Sequence, residues 1–224
     1  MSIRKINFVS GEYYHIYNRG NSKQEIFLDS QDYSHFISLL YACNQKGSIK
    51  TQKLNKDQTF YEKERVSPVV AIGAYCLMPN HFHLLITQIE EVGISIFMQK
   101  LSTAYSMYFN KKYKRTGSLF EGKFKSQHAN TDRYLKYIFS YIHLNPVKLV
   151  QRDWKEKGVR DKKIALEYLY NYKFSSYLDY LGKERIQNTI LNIDSFPKYF
   201  PNKTSFEKEI FEWLSYGASH PGKA

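Results

Sequence analysis

Residues 69–88 read VVAIGAYCLMPNHFHLLITQ, two apolar runs that are separated by the dipeptide Pro79-Asn80. Each run has the length of a buried β-strand, and proline and asparagine are typical turn residues. The stretch therefore predicts an antiparallel hairpin with one strand over residues 69–78 and the other over residues 81–88.

Two histidines stand at the start of the second predicted strand. Because side chains alternate along a strand, His81 and His83 are expected on one face and Phe82 on the other. The two imidazoles would then be close enough to share one metal ion. Two histidines on a strand surface are also common without any metal, so the pair alone does not define a site.

One strand and one helix are predicted before the hairpin. Residues 13–18 (YYHIYN) are rich in β-forming side chains and are followed by a Gly-containing turn. Asp29 or Ser30 can cap a helix that runs to about Gln45, with apolar residues at helical spacing. The polar, charged residues 46–68 predict a loop or a frayed hairpin.

Three more elements are predicted after the hairpin. Residues 94–112 have the periodicity of a helix, and residues 118–126 are expected to form a strand. Another helix begins near Thr131 and should end near Asn145, because Pro146 disfavours helical geometry at the residue before it.

The order strand, helix, strand, strand, helix, strand, helix predicts an α+β fold. Two strand–helix–strand halves around a central hairpin give a ferredoxin-like antiparallel sheet with helices on one face. We expect this domain to occupy residues 1–150. Residues 151–224 predict a mostly helical C-terminal extension that packs on it.

Composition limits the class of protein. The 224 residues carry 33 Lys and Arg against 21 Asp and Glu, and 17% are aromatic, which argues against a disordered chain. The longest apolar run, over residues 69–78, is about half of the ~20 residues that a membrane helix needs. No secretory leader is expected, so Cys43 and Cys76 are predicted to be reduced thiols of a cytoplasmic protein. Excess positive charge with many aromatic rings favours a nucleic-acid partner and no membrane.

The last predicted helix carries an unusual polar stripe. At ~100° per residue, Tyr134, Tyr137, Tyr141 and Asn145 fall on one side, beside a separate apolar stripe that suits the core. Tyr141 and Asn145 are four residues apart, so they lie one above the other on neighbouring turns. This separation suits a tyrosine nucleophile beside an oxygen ligand for a metal. Half-buried tyrosines with wetted hydroxyls would give the same stripe.

Three segments carry a family resemblance. CLMPNHFHLLI at residues 76–86, GSLFEGKFKS at 117–126 and YIHLNPVK at 141–148 resemble signature segments of the HUH single-tyrosine transposases. They are most similar to the REP-associated tyrosine transposases, relatives of the small insertion-sequence enzymes. The resemblance extends over about residues 13–150 and implies the same ferredoxin-like fold.

The resemblance implies a role for four side chains. His81, His83 and Asn145 would bind a divalent metal, Mg²⁺ or Mn²⁺, and Tyr141 would be the nucleophile that forms a 5′-phosphotyrosine. Tyr137, one turn earlier, is a rival nucleophile that spacing does not exclude. Other candidate metal ligands or proton carriers are Glu121 and His143, although His143 should face about 200° away from Tyr141.

The resemblance also implies a substrate: single-stranded DNA, or a DNA hairpin with unpaired flanks, which is cleaved and rejoined. A monomer is favoured over a dimer. The candidate contacts to the DNA backbone are cations in or near the basic stretch 100–126, namely Lys111, Lys112, Lys114, Arg115, Lys123 and Lys125, together with Arg19 after the first strand.

Two other functions are compatible with parts of the pattern. The protein could be a domesticated relative that binds hairpin DNA without transposition activity, although all four candidate site residues are present. It could also be a metal hydrolase that uses water as its nucleophile, which would leave no protein–DNA adduct and would not need Tyr141.

Overall fold

The computed structural model describes residues 7–47, 61 and 67–216. The strands are β1 (Tyr13–Arg19), β2 (Val70–Met78), β3 (His81–Gln88) and β4 (Lys125–His128). The α-helices are α1 (Ser30–Ala42), α2 (Gly93–Lys112), α3 (Asp132–Leu144), α4 (Trp154–Lys157), α5 (Lys162–Asn171), α6 (Tyr177–Tyr180) and α7 (Lys203–Tyr216). The loop predicted for residues 46–68 lies largely outside the described residues.

The four strands form one antiparallel sheet in the order β2-β3-β1-β4. This order, with α1 and α2 in the two crossovers, is the ferredoxin-like arrangement, so the predicted fold class is confirmed. In the register of the central strands, His83 of β3 lies opposite Tyr17 of β1 and Cys76 of β2. Cys43 and Cys76 are both unpaired thiols, as predicted.

The sheet is covered on both faces. Helices α1 and α2 pack on one face, where Phe82 of β3 joins a core with Phe36, Phe97 and Tyr105. Helix α3 packs on the opposite face through its apolar stripe, which includes Phe139. The two crossover helices share a face as predicted, while α3 lies on the face towards which the histidines of β3 point.

Helix α3 begins and ends where the sequence indicated. The hydroxyl of Thr131 accepts a hydrogen bond from the Tyr134 amide at 3.2 Å, which caps the first turn. The α-helix ends at Leu144, and a 3₁₀ turn continues over Asn145–Leu149 with Pro146 in its first turn.

The strand predicted over residues 118–126 is wrong in its bounds. Strand β4 begins only at Lys125, and before it Phe120 makes a single bridge to Gly20. Gly122 has φ +147°, outside the pleated strand geometry, and its carbonyl accepts a hydrogen bond from the Asn18 amide at 3.0 Å. The Asn21 and Glu121 amides also donate to the carbonyls of Leu119 and Arg19, each at 2.9 Å, so this irregular backbone is held by a short interrupted pairing together with a side chain of β1.

The C-terminal region occupies the outer edge of β2. The Leu77 amide donates to the Phe174 carbonyl at 3.0 Å, and the Ser176 and Asn192 amides donate to the carbonyls of Tyr75 and Ile72 at 3.0 and 2.9 Å. These bonds fasten the extension to the sheet. The division of the chain at residue 150 stays a prediction.

A buried ion pair reinforces this attachment. The Arg185 guanidinium bonds the Asp179 carboxylate, whose side chain is 0% exposed, and it donates to the Tyr75 hydroxyl at 2.9 Å. Across the described ranges, no helix combines the length and apolar character required to cross a membrane.

Candidate active site

The two histidines of β3 lie together on the α3 face of the sheet. The rings of His81 and His83 have centroids 4.9 Å apart and planes at 89°. His83 is 6% exposed, whereas His81 is half-buried and its Nδ1 lies 2.6 Å from the Asn80 side-chain oxygen. The strand therefore brings the pair together as the alternation of side chains predicted.

A third histidine, from β1, completes the group. His15 Nε2 lies 2.9 Å from His83 Nδ1, so one of these nitrogens donates a hydrogen bond and the other accepts it. The sequence analysis assigned no role to His15. Alternation along β1 places the side chain of His15 on the same face as those of Tyr13 and Tyr17, but it does not say which strand lies next to that face. The pairing of β1 with β3 is what brings His15 beside His83.

The three imidazoles are neutral at neutral pH. Burial lowers the pKa of His15 to about 3 and, with nearby cations, that of His81 to about 4. Burial also lowers the pKa of His83 well below its usual range, with His15 and His81 adding to the effect. Neutral imidazole is the form that binds a metal ion.

The predicted ligands contain two buried atoms that suit a metal. His83 Nε2 and Asn145 Oδ1 are buried and have no hydrogen-bond partner among the described residues. Asn145 is 0% exposed, and its side-chain nitrogen donates to the Tyr141 carbonyl at 3.1 Å, which fixes the amide. In the part of the chain that the structure describes, no three His, Cys, Asp or Glu side chains form a metal-binding group. Imidazole nitrogens with an amide oxygen nevertheless fit Mn²⁺ or Mg²⁺ completed by water or phosphate.

Tyr141 is the α3 tyrosine that contacts the histidines. Its ring centroid lies 5.4 Å from that of His83 and 5.8 Å from that of His15, in edge-to-face geometry. Two ammonium groups also approach the ring: Lys155 Nζ lies 3.7 Å from its centroid and Lys148 Nζ lies 6.0 Å away. Lys155 belongs to α4, which lies outside the domain predicted over residues 1–150, so no motif spacing in that domain could indicate that Lys155 contacts Tyr141.

Tyr137 has different neighbours. Its ring stacks on Tyr141 with centroids 5.8 Å apart and contacts Trp213 of α7 at 5.1 Å. Among the described residues its ring makes no close contact with a histidine. Burial raises the pKa of Tyr137, so ionisation of this phenol is disfavoured. Its position away from the histidines makes Tyr137 the weaker candidate nucleophile.

The two remaining candidate ligands lie in different places. His143 is fully buried on the side of α3 that faces the extension, where its Nε2 lies 2.8 Å from the Ser176 hydroxyl. Glu121 is near His81, but it forms an exposed ion pair with Arg19 at 2.9 Å. Within the described residues, neither side chain contacts Tyr141. For His143 this agrees with the expectation that it faces away from Tyr141 on the helix.

A surface pocket of about 280 Å³ opens beside His81. It brings two of the predicted DNA-binding cations, Arg19 and Lys125, to the edge of the histidine group. Lys123 is exposed two residues before Lys125. The pocket is lined by Tyr17, Asn18, Arg19, Asn80, His81, Glu121 and Lys125.

The other predicted DNA-binding cations lie at the C-terminal end of α2, on the opposite face of the sheet. Lys111 and Lys114 are exposed, whereas the Arg115 guanidinium lies over the Phe109 ring, 5.5 Å from its centroid. Lys112 Nζ bonds Asp29 and Asp32, each at 2.7 Å. The structure does not bring this group to the histidines, and its contact with DNA stays a prediction.

Comparison with known families agrees with these features. Residues 63–145, which include both β3 histidines, Tyr141 and Asn145, match the model of the family described as "Transposase IS200 like". The resemblance to insertion-sequence transposases that the sequence segments indicated is thereby confirmed for this part of the chain.

One solved structure is similar over most of the chain. It is described as "Structure of the REP associates tyrosine transposase bound to a REP hairpin", and the alignment covers 84% of this chain and 90% of that one. The TM-score is 0.48 and the sequence identity is 12%. No curated protein matches the chain.

Proposed function

We propose that the protein is a DNA transposase that cleaves and rejoins single-stranded DNA at hairpin-bearing sites, with Tyr141 as its nucleophile. The observation that carries the proposal is the position of the Tyr141 ring. Its centroid lies 5.4 Å from the centroid of the His83 ring, and the buried Asn145 follows Tyr141 by one helical turn. The match of residues 63–145 to IS200-like transposases supports the same class of reaction.

In the proposed step, the phenol oxygen of Tyr141 attacks the phosphorus of a phosphodiester. A bond forms between these two atoms while the bond from phosphorus to the 3′ oxygen of the preceding nucleotide breaks. The phenol proton passes to water and the departing 3′ oxygen takes up a proton, which leaves a 5′-phosphotyrosine and a 3′-hydroxyl. Because the phosphoester stays on the protein, a second 3′-hydroxyl can displace the tyrosine and rejoin the strands without ATP.

Mg²⁺ or Mn²⁺ would be held by His81, His83 and the amide oxygen of Asn145. When bound, the ion neutralises charge on the phosphate under attack. The chain itself keeps the imidazoles neutral by burial. For Nε2 of His83 to bind the ion, its Nδ1–H must donate to His15 Nε2, and this hydrogen bond holds His83 in one orientation. A hydrogen bond donated by the second ring nitrogen of a ligating histidine is typical of metal sites.

The proposed substrate suits the pocket beside His81. Lys125 supplies positive charge for phosphates, and Arg19 adds to it when a phosphate replaces Glu121 in its exposed ion pair. The half-exposed ring of Tyr17 can stack on an unpaired base. We further propose that the protein acts as a monomer, because one chain supplies the histidines, Tyr141 and Asn145 to the same site.

The test is covalent capture of DNA. The protein is incubated with Mn²⁺ and a labelled pool of single-stranded oligonucleotides in which a hairpin is flanked by randomised nucleotides. We expect an adduct that survives boiling in detergent and that is lost in Tyr141→Phe, while Tyr137→Phe retains it and both variants still bind the pool. His83→Ala should lose metal-dependent cleavage.

Each alternative gives a different result. Binding of the pool without any adduct would indicate a hairpin-binding protein that lacks the reaction. Cleavage without an adduct would indicate a hydrolase that uses water. Loss of the adduct in Tyr137→Phe, but not in Tyr141→Phe, would reassign the nucleophile.

A further inference from the structure

Lys155 is placed over Tyr141 by a short helix of the C-terminal extension. Its Nζ is 3.7 Å from the centroid of the Tyr141 ring, the shortest of the described cation–ring distances. The preceding residue, Trp154, is 7% exposed and packs in the core that joins α3 to the extension. Trp154 therefore anchors α4, and the lysine is not needed to attach it.

The backbone around α4 is held by polar contacts that do not involve Lys155. The Gln151 side chain donates to the Gly158 carbonyl at 2.7 Å and accepts from the Arg160 amide at 2.9 Å. Asp153 accepts from the backbone amide of Lys157 at 2.9 Å. These bonds fix the helix and hence the direction in which Lys155 extends.

Lys155 occupies a costly position for an ammonium group. It forms no ion pair within the described ranges, and burial lowers its pKa to about 8. Burial also lowers the pKa of the neighbouring Lys148. Burial removes hydration from this amine, and its contact with the phenol ring is the attraction that offsets the cost, which ties the position of Lys155 to that of Tyr141.

We propose that Lys155 is a positioning residue for Tyr141, which holds the phenol ring against the histidines and stabilises the negative charge that its oxygen carries during attack. The proposal rests on the function proposed above. It gives the C-terminal extension a place in the reaction, because α4 supplies a cation that lies closer to the Tyr141 ring than Lys148 does.

The first test needs neither DNA nor metal. Tetranitromethane nitrates tyrosines through their phenolate form, and mass spectrometry measures the rate at Tyr141 separately from other sites. We expect nitration of Tyr141 to be several-fold slower in Lys155→Met than in the wild type, because the ammonium group over its ring is lost, with partial recovery in Lys155→Arg. Lys157→Met is the matched control, because Lys157 is exposed on the same helix and, among the residues that the structure describes, pairs only with Asp153 at 3.3 Å.

The second test measures adduct formation with the same hairpin pool and Mn²⁺. Lys155→Met should form the adduct at least tenfold more slowly, with unchanged melting temperature and unchanged affinity for the pool, and Lys155→Arg should recover most of the rate. Lys157→Met should match the wild type.

The two proposals can fail separately. If Tyr141 is nitrated in Lys155→Met at the same rate as in the wild type, the proposed role of Lys155 is overturned, whether or not the protein forms an adduct. Equal losses in Lys155→Met and Lys155→Arg, with a lower melting temperature, would also overturn it, because they indicate a packing role. Absence of any adduct in the wild type would overturn the proposed transposase reaction, and the nitration rates would still decide the role of Lys155.

Discussion

Replacement of Arg185 by methionine should destabilise the protein strongly. Arg185 bonds a carboxylate that is fully buried, and its guanidinium also donates to the Tyr75 hydroxyl and to the Lys173 carbonyl. Removing one member of a buried ion pair costs about 3–5 kcal/mol, because the remaining charge is left without compensation. For a chain of this length, that corresponds to a decrease in melting temperature of about 6–20 °C. Thermal unfolding followed by circular dichroism measures it.

The sequence offers a matched control. Arg160 also pairs with an aspartate, Asp153, but its side chain is 68% exposed, so Arg160→Met should cost less than about 1 kcal/mol. Adding Asp179→Leu to Arg185→Met should recover much of the lost stability, since the stranded carboxylate is removed.

The pH dependence gives an independent check. Burial already raises the pKa of Asp179, despite its hydrogen bonds to Arg185. Without Arg185, the pKa of Asp179 in the folded protein should rise further. Its carboxyl group then stays protonated at pH values at which the same group in the unfolded chain has already lost its proton. Stability of the variant should therefore decrease as pH rises from 5 to 8. A loss below 1 kcal/mol at pH 8, or a loss that is independent of pH, would refute this account of the ion pair.

Two further predictions concern stability and DNA binding. Burial lowers the pKa of His143 to about 3, so protonation of this residue favours the unfolded chain as the pH falls. Between pH 6.5 and pH 5 the free energy of unfolding, measured with urea, should therefore decrease by about 2 kcal/mol more in the wild type than in His143→Gln. Equal decreases in the two proteins would contradict a buried neutral histidine. Lys125→Met should reduce the slope of log affinity against log salt by about 0.7 for single-stranded DNA. Lys112→Met should leave that slope unchanged and instead lower stability, because the side chain of Asp32 is 0% exposed and loses its cation; the reverse pattern would place Lys112 on the DNA.

Local patterns predicted most of the sheet and the histidine pair. The bounds of β3 agree with the apolar run 81–88, and those of β2 differ by one residue. The period of two along a strand was sufficient to place His81 and His83 on one face, because it depends on backbone geometry alone. The helical stripe that contains Tyr141 and Asn145 was likewise a local property of α3.

Features that depend on tertiary packing were not predictable in this way. His15 and Lys155 reach the site from β1 and α4, and no spacing along the chain indicates that these elements meet at Tyr141. Lys112 belongs to a dense run of cations, yet only the packing of α2 on α1 shows that two carboxylates already bind it. The strand predicted from residue 118 failed because apolar content does not reveal the positive φ of Gly122.

The occupied edge of β2 limits how the chain can be shortened. All nine residues of β2 are buried, and residues 172–192 of the extension use the hydrogen-bonding groups along its outer side. Truncation after residue 150 would expose an apolar strand with unpaired amides and carbonyls, which is the template on which strands of other chains add and aggregates grow. The sheet thus depends on residues 172–192 to keep the outer edge of β2 covered.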